Sequence, residues 1–419
     1  MKKIIILLFA LISFALDSSY AQTPKLAFPQ NKAYFNGCIL PSTKTRKELN
    51  TATTEFYTVW KKAYLCHDCA DARQYYILND EGNVKGKGKT ICVSEGQGYG
   101  MQIMVLMAGE EKEAQAIFDG MYRFARMHPS SVSKYLMSWS ILKGCVTNKH
   151  NDNNNSATDG DMDIAISLLM ADNQWGSTGT INYREEARKS IGAILKHEIN
   201  GRKHSILLCD ANTPDDPDYN DIRSSDFMPA YLRVFNNFFP NPEWKKVIDN
   251  TYIIFANIQQ TYGAKTGLIP DFISYSKGKY SPAKPNYLEG PFDGNYYYNA
   301  CRVPFRVGLD YLLFGDERAK NLLDPLSDFI KTTTTSNAEN VCAGYYLSGK
   351  AFANHDFATP AYVCPFAIGA MLNKNHQDWL DNCWNSVSKF EFKDYQYFDN
   401  TLQLLSMIVL SGNYWLPQP

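Results

Sequence analysis

Twelve stretches of helical periodicity, joined by short connections, constrain the fold of this chain more than any other feature. Apolar residues recur in each stretch at helical spacing, and Gly, Pro, Asn and Asp concentrate between them. No β/α alternation accompanies them, and no shift in composition marks a domain boundary. We therefore predict a single all-α domain of paired helices across residues 22–419. The predicted helices are Arg46–Tyr64, Gly98–Met107, Lys112–Met127, Asp161–Asp172, Tyr183–His197, Phe227–Phe238, Trp244–Tyr262, Asn299–Leu313, Asp316–Thr332, Ala361–Leu372, His376–Ser388 and Thr401–Ser411.

Residues 1–21 have the pattern of a secretory signal peptide. Lys2 and Lys3 precede an apolar run, Ile4–Ala15, that is too short to span a bilayer, and small residues follow at the cleavage-site positions. We expect a bacterial protein that is secreted or periplasmic, with no membrane span after cleavage. The formal net charge of −1 gives no general attraction to nucleic acid, and a monomer is expected.

Carboxylates are densest where one of the predicted helices begins. Asp159, Asp161 and Asp163 alternate within Ala157–Trp175, and the pattern then becomes apolar at helical spacing. A Thr or Asp before such a run is typical of a helix N-cap, and acids suit the positive end of the helix dipole. Three like charges so close together cost free energy unless solvent or a task compensates them. The pattern alone leaves both interpretations open, capping and a functional site.

A second motif, Ser94–Met101, sets Glu95 among three glycines. Glycines at this density disfavour a helix surface and let the backbone approach a neighbour closely, while Tyr99 offers a flat face to a sugar ring. A carboxyl held against apolar and aromatic groups has a raised proton affinity, which a general acid working near neutral pH requires. The alternative is that Glu95 caps a helix that begins at Gly98.

Aromatic residues make up 14 % of the chain, and many lie beside polar residues. Together with the glycine-set carboxylates they favour a carbohydrate cleft, although each aromatic taken singly is more often part of a core. Hydrolysis of a glycosidic bond needs two carboxyl groups, one protonated and one ionised. The candidates are Glu95, Asp159, Asp161, Asp163, Asp271, Glu289 and Asp293.

Two connections differ from the others. Cys209–Asp226 contains six aspartates, which we interpret as a solvated surface, a calcium site or a surface for a cationic substrate. Ser274–Tyr298 is long and rich in Lys, Pro, Tyr and Gly, and loops of this length in a compact domain are often functional.

No cofactor and no metal are predicted. Nucleotide-binding, serine-hydrolase and zinc-protease motifs are missing from the sequence, and the stretch from Asp159 differs from an EF-hand because Ile164 replaces the required Gly. Cys66 and Cys69 are the one close pair among ten cysteines, and no second Cys/His pair follows at zinc-finger spacing. Disulfides are possible in an exported chain, but their connectivity cannot be predicted.

These motifs together resemble glycoside hydrolase family 8. Ala157–Trp175 matches that family's signature, Ser94–Met101 resembles its general-acid motif, and Tyr298–Pro304 resembles a third landmark. Leu404–Trp415 is similar to the family's C-terminal helix and tail, so the likeness covers essentially all of residues 22–419. The resemblance implies an (α/α)6 toroid of six helical hairpins with an open substrate cleft. It also implies hydrolysis of β-1,4-linked glucan, mixed-linkage glucan, xylan or chitosan, with inversion at the anomeric carbon.

The resemblance assigns roles to particular residues, with one departure. Glu95 is the implied proton donor, and Asp159 is the implied third active-site residue. The cellulase and xylanase branch has an Asp as general base where this chain has Asn299, and an amide cannot accept that proton. In the branch that resembles chitosanases and some β-glucanases, the base is a Glu in an upstream loop, which Glu289 matches here, with Asp293 as the fallback. Inversion requires the two carboxyl groups to lie roughly 6.5–9.5 Å apart.

The remaining expectations concern substrate contacts and substrate identity. Arg302 is expected either to orient a carboxylate or to form a structural ion pair. We expect a secreted, inverting endo-β-1,4-glycanase acting on β-glucan; chitosan is the alternative substrate, and xylan hydrolysis or a non-catalytic glycan-binding role are further alternatives. The predicted substrate-binding residues are Asp161, Tyr99, Trp139, Trp175, Asn299, Arg302 and Asp293.

Overall fold

The computed structural model describes residues 22–80, 89–150 and 154–419, so the predicted signal peptide lies outside the described residues. Within this part of the chain there are twelve α-helices, one for each predicted segment. They are α1 (Arg46–Tyr64), α2 (Ser94–Leu106), α3 (Ala114–Met127), α4 (Thr158–Trp175), α5 (Tyr183–His197), α6 (Pro229–Phe238), α7 (Pro242–Tyr262), α8 (Val303–Phe314), α9 (Glu317–Thr333), α10 (Pro360–Ala370), α11 (Gln377–Val387) and α12 (Tyr397–Leu410).

The even-numbered helices form an inner ring and the odd-numbered helices form an outer ring. Every residue of α10 is buried, whereas α1 buries one stripe that includes Leu49 and Trp60. Each outer helix packs against an inner neighbour, and the inner helices contact one another in order until α12 returns to α2. The expected toroid of six helical hairpins is confirmed.

Ten short strands lie in the described connections between helices, and the helical periodicity did not predict them. They pair into four small antiparallel sheets, and with two to five residues each they are too short to show a pattern of their own. The strands are β1 (Leu65–Cys66), β2 (Tyr76–Ile77), β3 (Thr90–Val93), β4 (Ser140–Leu142), β5 (Val146–Thr147), β6 (Ile199–Asn200), β7 (Ser205–Ile206), β8 (Ile222–Arg223), β9 (Phe272–Ser276) and β10 (Lys279–Pro282).

The glycine-rich motif is part of α2, which begins at Ser94 and not at the predicted Gly98. The expectation that these glycines disfavour helix was wrong, because close packing requires them: Gly98 lies against α4, Gly96 against Tyr397 and Gly100 against Ile77. A Cβ atom on Gly98 would lie 2.5 Å from the Cβ of Asp163, and a Cβ on Gly160 would lie 2.5 Å from Ser94 Oγ. The missing side chains therefore let α2 and α4 approach closely, with their first turns side by side.

The start of α4 differs from the predicted N-cap. The cap position is Ala157, which makes no side-chain capping bond, and Thr158 Oγ1 donates instead to the Leu207 carbonyl at 2.7 Å. Of the two interpretations that the sequence left open for this stretch, side-chain capping is therefore not the one that the structure shows. Asp159 and Asp161 still lie in the first turn, where negative charge is favourable to the helix dipole.

A disulfide joins Cys69 to Cys145, so Cys69 is not available for the zinc site considered from its spacing to Cys66. Among the described residues no cluster of His, Cys, Asp and Glu has the arrangement to hold a metal ion. In the same part of the chain, no helix has the length and apolar content that crossing a bilayer requires.

Candidate active site

An open cleft of about 1160 Å³ lies over the N-terminal ends of inner helices. The first turns of α2, α4 and α12 contribute to it, together with the segment that precedes α8. Positive helix ends converge there, which favours carboxylates in the lining. The lining residues that concern the chemistry are Glu95, Trp139, Asp159, Arg223, Glu289, Tyr298, Asn299, Arg302, Phe357, Tyr397 and Phe398.

Glu95 lies in the first turn of α2 with its side chain 16 % exposed to the cleft. Tyr397 Oη donates to its Oε1 at 2.9 Å, and Arg302 Nη1 contacts its Oε2. Burial raises the pKa of the Glu95 carboxyl and outweighs the opposing effect of Arg302, while the negative charge of Asp159 adds to the increase. The carboxyl is therefore suited to hold a proton at a pH where an ordinary glutamate has lost it.

Asp159 lies beside Glu95, in the first turn of α4. Arg302 Nη1 donates to its Oδ2 at 2.9 Å, and Arg223 Nη2 lies 3.4 Å from its Oδ1. Burial alone would raise the pKa of Asp159, but the two guanidinium groups outweigh it and hold the pKa at about 2. The surroundings thus shift the pKa values of two neighbouring carboxyl groups in opposite directions.

Asp161 and Asp163 face away from the cleft, although they lie close to Asp159 near the start of α4. Asp161 is buried and accepts the Met137 N–H at 2.8 Å; burial raises its pKa to about 8 against that hydrogen bond. Asp163 forms a buried ion pair with Arg306, at 2.6 and 2.7 Å. The predicted substrate contact of Asp161 was therefore wrong, because the helix directs its side chain into the protein interior.

Glu289 lines the cleft from the loop between β10 and α8 and is connected to Glu95 by a chain of hydrogen bonds. Asn299 Nδ2 donates to Glu289 Oε2 at 2.8 Å, and Arg302 Nη2 donates to Asn299 Oδ1 at 2.8 Å. Arg302 then reaches Glu95 through its other terminal nitrogen. Asn299 therefore holds a carboxylate on one side and a guanidinium on the other, which an aspartate could not do.

Two buried aspartates support the backbone on this side. Asp271 accepts the N–H groups of Tyr297, Asn299 and Ala300 at 2.8, 3.1 and 2.7 Å. Burial raises the pKa of Asp271 to about 7, although these three hydrogen bonds oppose the increase. Asp271 therefore supports the backbone of Asn299.

Asp293 supports the neighbouring loop in the same manner. It is 3 % exposed, and it accepts the N–H groups of Leu288, Glu289 and Gly290 at 2.7, 3.0 and 2.9 Å. The prediction that Asp293 contacts substrate was wrong, because its carboxylate faces this backbone and not the cleft.

The predicted stacking platforms divide into one cleft residue and two core residues. Trp139 lines the cleft. Tyr99 is 0 % exposed, with its hydroxyl 3.1 Å from Arg306 Nη2, and Trp175 is 3 % exposed and packs against Phe118. The last two predictions were wrong, since α2 and α4 are inner helices that are buried on nearly all sides.

Several lining residues were not predicted. Tyr397 and Arg223 contact the carboxyl groups directly, yet they lie 302 and 64 residues from their partners along the chain. Tyr298, Phe357 and Phe398 add aromatic surface to the cleft. Of these residues, only Tyr298 has a sequence context that could have indicated a place in the cleft, because it ends a run of three tyrosines next to Asn299.

The acidic connection Cys209–Asp226 contributes Arg223 to the cleft lining and none of its aspartates. Asp210 accepts the Ser156 N–H, Asp221 accepts the Tyr275 N–H, and Asp226 pairs with Arg223 at 2.8 Å. These three carboxylates stabilise the connection itself. The interpretation of the segment as a surface for a cationic substrate gains no support from this geometry.

The combination of groups in the cleft defines a class of enzyme. A carboxyl with a raised pKa, carboxylates around it and aromatic rings in an open groove are the groups that hydrolysis of a glycosidic bond uses. Comparison with known proteins agrees. The profile of glycosyl hydrolases family 8 matches residues 45–412.

Individual relatives cover nearly the whole chain. A beta-glucanase of Niallia circulans is 38 % identical, covering 94 % of this chain and 92 % of that protein. An endoglucanase of Bacillus sp. (strain KSM-330) is 38 % identical, covering 94 % and 82 %. The apo structure of the beta-1,3-1,4-glucanase from Paenibacillus sp. X4 has a TM-score of 0.87 at 37 % identity, covering 94 % of this chain and 100 % of that chain. The chain therefore belongs to glycosyl hydrolases family 8, and it is a glycoside hydrolase.

Proposed function

We propose that this enzyme is an inverting endo-β-glucanase that cleaves β-1,4 or mixed β-1,3-1,4 glucan. The observation that carries the proposal is the hydrogen-bonded series Glu95–Arg302–Asn299–Glu289, which connects two carboxyl groups of one cleft, one on a helix and one on a loop. An open cleft admits the interior of a long polymer, which suits endo-cleavage.

In the proposed mechanism Glu95 acts as general acid and Glu289 as general base. The Glu95 carboxyl donates its proton to the glycosidic oxygen as the bond to the anomeric carbon breaks. Glu289 accepts a proton from a water molecule, whose oxygen attacks that carbon from the opposite face. Asp159, ionised beside Glu95, stabilises the positive charge that develops on the sugar ring. A β-linked chain would thus release an α-anomer as its first product.

Two observations support glucan as the substrate. The relatives that cover most of this chain are named for glucan hydrolysis. In addition, the acidic connection Cys209–Asp226 places none of its aspartates in the cleft lining, so it adds no negative charge there. A polycation such as chitosan would therefore gain little from it.

The test is the release of reducing ends from lichenan, carboxymethylcellulose, chitosan and xylan, with the anomer of the first product followed by NMR. We expect rapid cleavage of lichenan or carboxymethylcellulose and an α-anomer. Activity on chitosan or xylan alone would contradict the substrate assignment, and a β-anomer would contradict inversion. A protein that binds oligosaccharides but releases no sugar would be a glycan-binding protein.

The proposal also includes export and a monomeric, single-domain enzyme across residues 22–419. The Cys69–Cys145 disulfide is typical of an oxidising compartment, and the signal pattern of residues 1–21 agrees with it. One chain supplies both sides of the cleft, so catalysis needs no second copy. N-terminal sequencing of the exported protein should begin at Gln22, and gel filtration should give the monomer mass.

A further inference from the structure

We propose that Asp293 is the positioning residue of the general base, and that its carboxylate fixes the backbone from which Glu289 reaches into the cleft. This inference rests on the proposed function, because it takes Glu289 as the base. Asp293 itself was a candidate for that role. The geometry gives it a different task, which acts through Glu289 and not on the substrate.

The two oxygens of Asp293 are both committed to the loop. Oδ2 accepts the N–H groups of Leu288 and Glu289, at 2.7 and 3.0 Å, and Oδ1 accepts the Gly290 N–H at 2.9 Å. An ionised carboxylate makes stronger hydrogen bonds than a neutral acceptor, and three of them fix successive peptide planes around Glu289. Three of the four lone-pair sites of the Asp293 carboxylate are thus occupied, and Asp293 lies outside the cleft lining.

The backbone of Asp293 is in turn connected to the rest of the protein. Its carbonyl accepts the Phe272 N–H at 2.9 Å, which joins the loop to the start of β9. The preceding residue, Phe292, stacks on the buried ring of Phe352 with ring centroids 3.8 Å apart. The Glu289 loop is therefore attached to a sheet on one side and to an aromatic cluster on the other.

The orientation of Glu289 depends on this attachment. Its carboxylate must meet Asn299 Nδ2, whose own backbone is held by Asp271. A general base that is displaced by about 1 Å can lose on the order of 100-fold in rate without any change in its chemistry. Two buried aspartates thus determine the two ends of the Glu289–Asn299 hydrogen bond.

The experiment compares Asp293→Asn with Glu289→Ala and with Asp216→Asn. Asp216 is the matched control, because its carboxylate also accepts a backbone N–H, from Thr213 at 2.6 Å, but lies outside the cleft lining. The assay uses the glycan that the wild type cleaves fastest, so that an error in the proposed substrate leaves the comparison intact. kcat, KM and the thermal midpoint are measured for each variant, with and without sodium azide.

We expect Asp293→Asn to lower kcat by about 10-fold to 100-fold with KM changed by less than about twofold. Azide should not restore its turnover, because the Glu289 carboxylate still fills the space beside the attacking water that azide would need, and its negative charge repels the anion. Azide should restore turnover to Glu289→Ala: its nitrogen bonds to the anomeric carbon from the face that water uses, and the departing oxygen takes the proton of Glu95. Asp216→Asn should behave as the wild type.

Three outcomes would overturn the inference. A lower thermal midpoint with unchanged kcat would make Asp293 a structural residue only. Recovery of the Asp293 variant by azide, with normal turnover in the Glu289 variant, would make Asp293 the base and would also overturn the proposed role of Glu289. If Asp293→Asn does not fold, Asp293→Ser retains one acceptor without placing an amide N–H group against the backbone donors, and unchanged kcat in that variant would contradict the proposal.

Discussion

The two sides of the cleft hold their carboxyl groups by different means. Glu95 and Asp159 lie on the first turns of α2 and α4, two inner helices that touch through Gly98 and Gly160. Glu289 lies on a loop between β10 and α8, whose backbone is held by a buried carboxylate. On the helical side, packing determines where each group lies, whereas on the loop side hydrogen bonds to the main chain do so. Where helix packing positions a carboxyl group, the sequence contains a recognisable motif of closely spaced glycines and acids. Where a loop positions it, the sequence pattern is weaker.

Arg302 is the residue that joins the two sides. One of its terminal nitrogens contacts Glu95 and Asp159, and the other donates to Asn299. Burial alone would lower the pKa of Arg302, but the adjoining carboxyl groups raise it well above the ordinary value. A single permanent cation therefore aligns both sides.

The largest expected effect is on the helical side. Glu95→Gln removes the proposed proton donor but keeps the shape of the side chain, and we expect kcat to fall by about 10³-fold with oligosaccharide binding retained. The pKa of Glu95 is raised, so wild-type activity should persist above the pH at which an ordinary glutamate ionises and then decline as Glu95 loses its proton. That alkaline decline should be absent from the residual activity of the variant.

Steady-state kinetics across pH, with calorimetric binding of a cello-oligosaccharide, checks both expectations. Glu55→Gln, an exposed position of α1, is the control and should match the wild type. A Glu95→Gln variant with substantial turnover would place the proton donor elsewhere and remove the distinction between the two sides.

The second effect tests the connection between the sides. Arg302→Lys retains a positive charge but cannot reach Glu95, Asp159 and Asn299 together from one planar group. We expect kcat to fall by about 10-fold to 100-fold with the protein still folded. Circular dichroism and kinetics provide the measurement, and Arg188→Lys, which affects an exposed helical ion pair with Glu185, is the control. Unchanged turnover in the Arg302 variant would show that the two sides act independently.

Much of the helical side could be predicted from sequence. The helices have clear periodicity, and α1 and α5 have the predicted bounds. Glu95 and Asp159 were found because each lies within a short motif of specific spacing. Asp161, Tyr99 and Trp175 were misplaced for one physical reason: an inner helix is buried on nearly every side, so residue type does not tell which side faces the cleft.

The loop side could be predicted only in part. Glu289 was selected through its resemblance to a family loop, while the local sequence gave Asp293 an equal claim. Hydrogen bonds from main-chain N–H groups distinguish Asp293 from Glu289. Nearly every residue has such a group, so the residue types in the sequence do not predict these hydrogen bonds. Contacts such as that of Tyr397 with Glu95 join positions 302 residues apart, which no local pattern encodes.

A smaller effect on KM is expected at Trp139, which lines the cleft, and not at Trp175, which lies in the core. Trp139→Ala should raise KM by about 10-fold, because a sugar would lose a stacking partner worth roughly 1.4 kcal/mol, with little change in thermal stability. Trp175→Ala should have the reverse effect, losing about 3–5 kcal/mol of the free energy of unfolding while KM of the folded enzyme stays the same. Kinetics and denaturant unfolding of the two variants give the comparison. A raised KM in the Trp175 variant would contradict its burial beside Phe118.

The smallest effect lies behind the helical side, at the buried pair of Asp161 and Glu198. Burial raises the pKa of Asp161 from 3.8 to about 8, and that of Glu198 well above its ordinary value, with each carboxyl also affected by Asp210. Because the folded-state pKa exceeds the unfolded one, the stabilisation from holding this proton is fully present below about pH 4. It is lost as the pH rises through about 8.

The thermal midpoint should therefore decrease by a few degrees between neutral pH and pH 9, since each kcal/mol corresponds to roughly 2 °C in a large domain. Asp161→Asn should flatten this decrease and leave kcat within about twofold, because Asp161 lies outside the cleft lining. Asp215→Asn, an exposed carboxylate, should retain the wild-type slope. A flat wild-type profile across this range would show that the pair does not hold a proton, and that the start of α4 tolerates two buried negative charges.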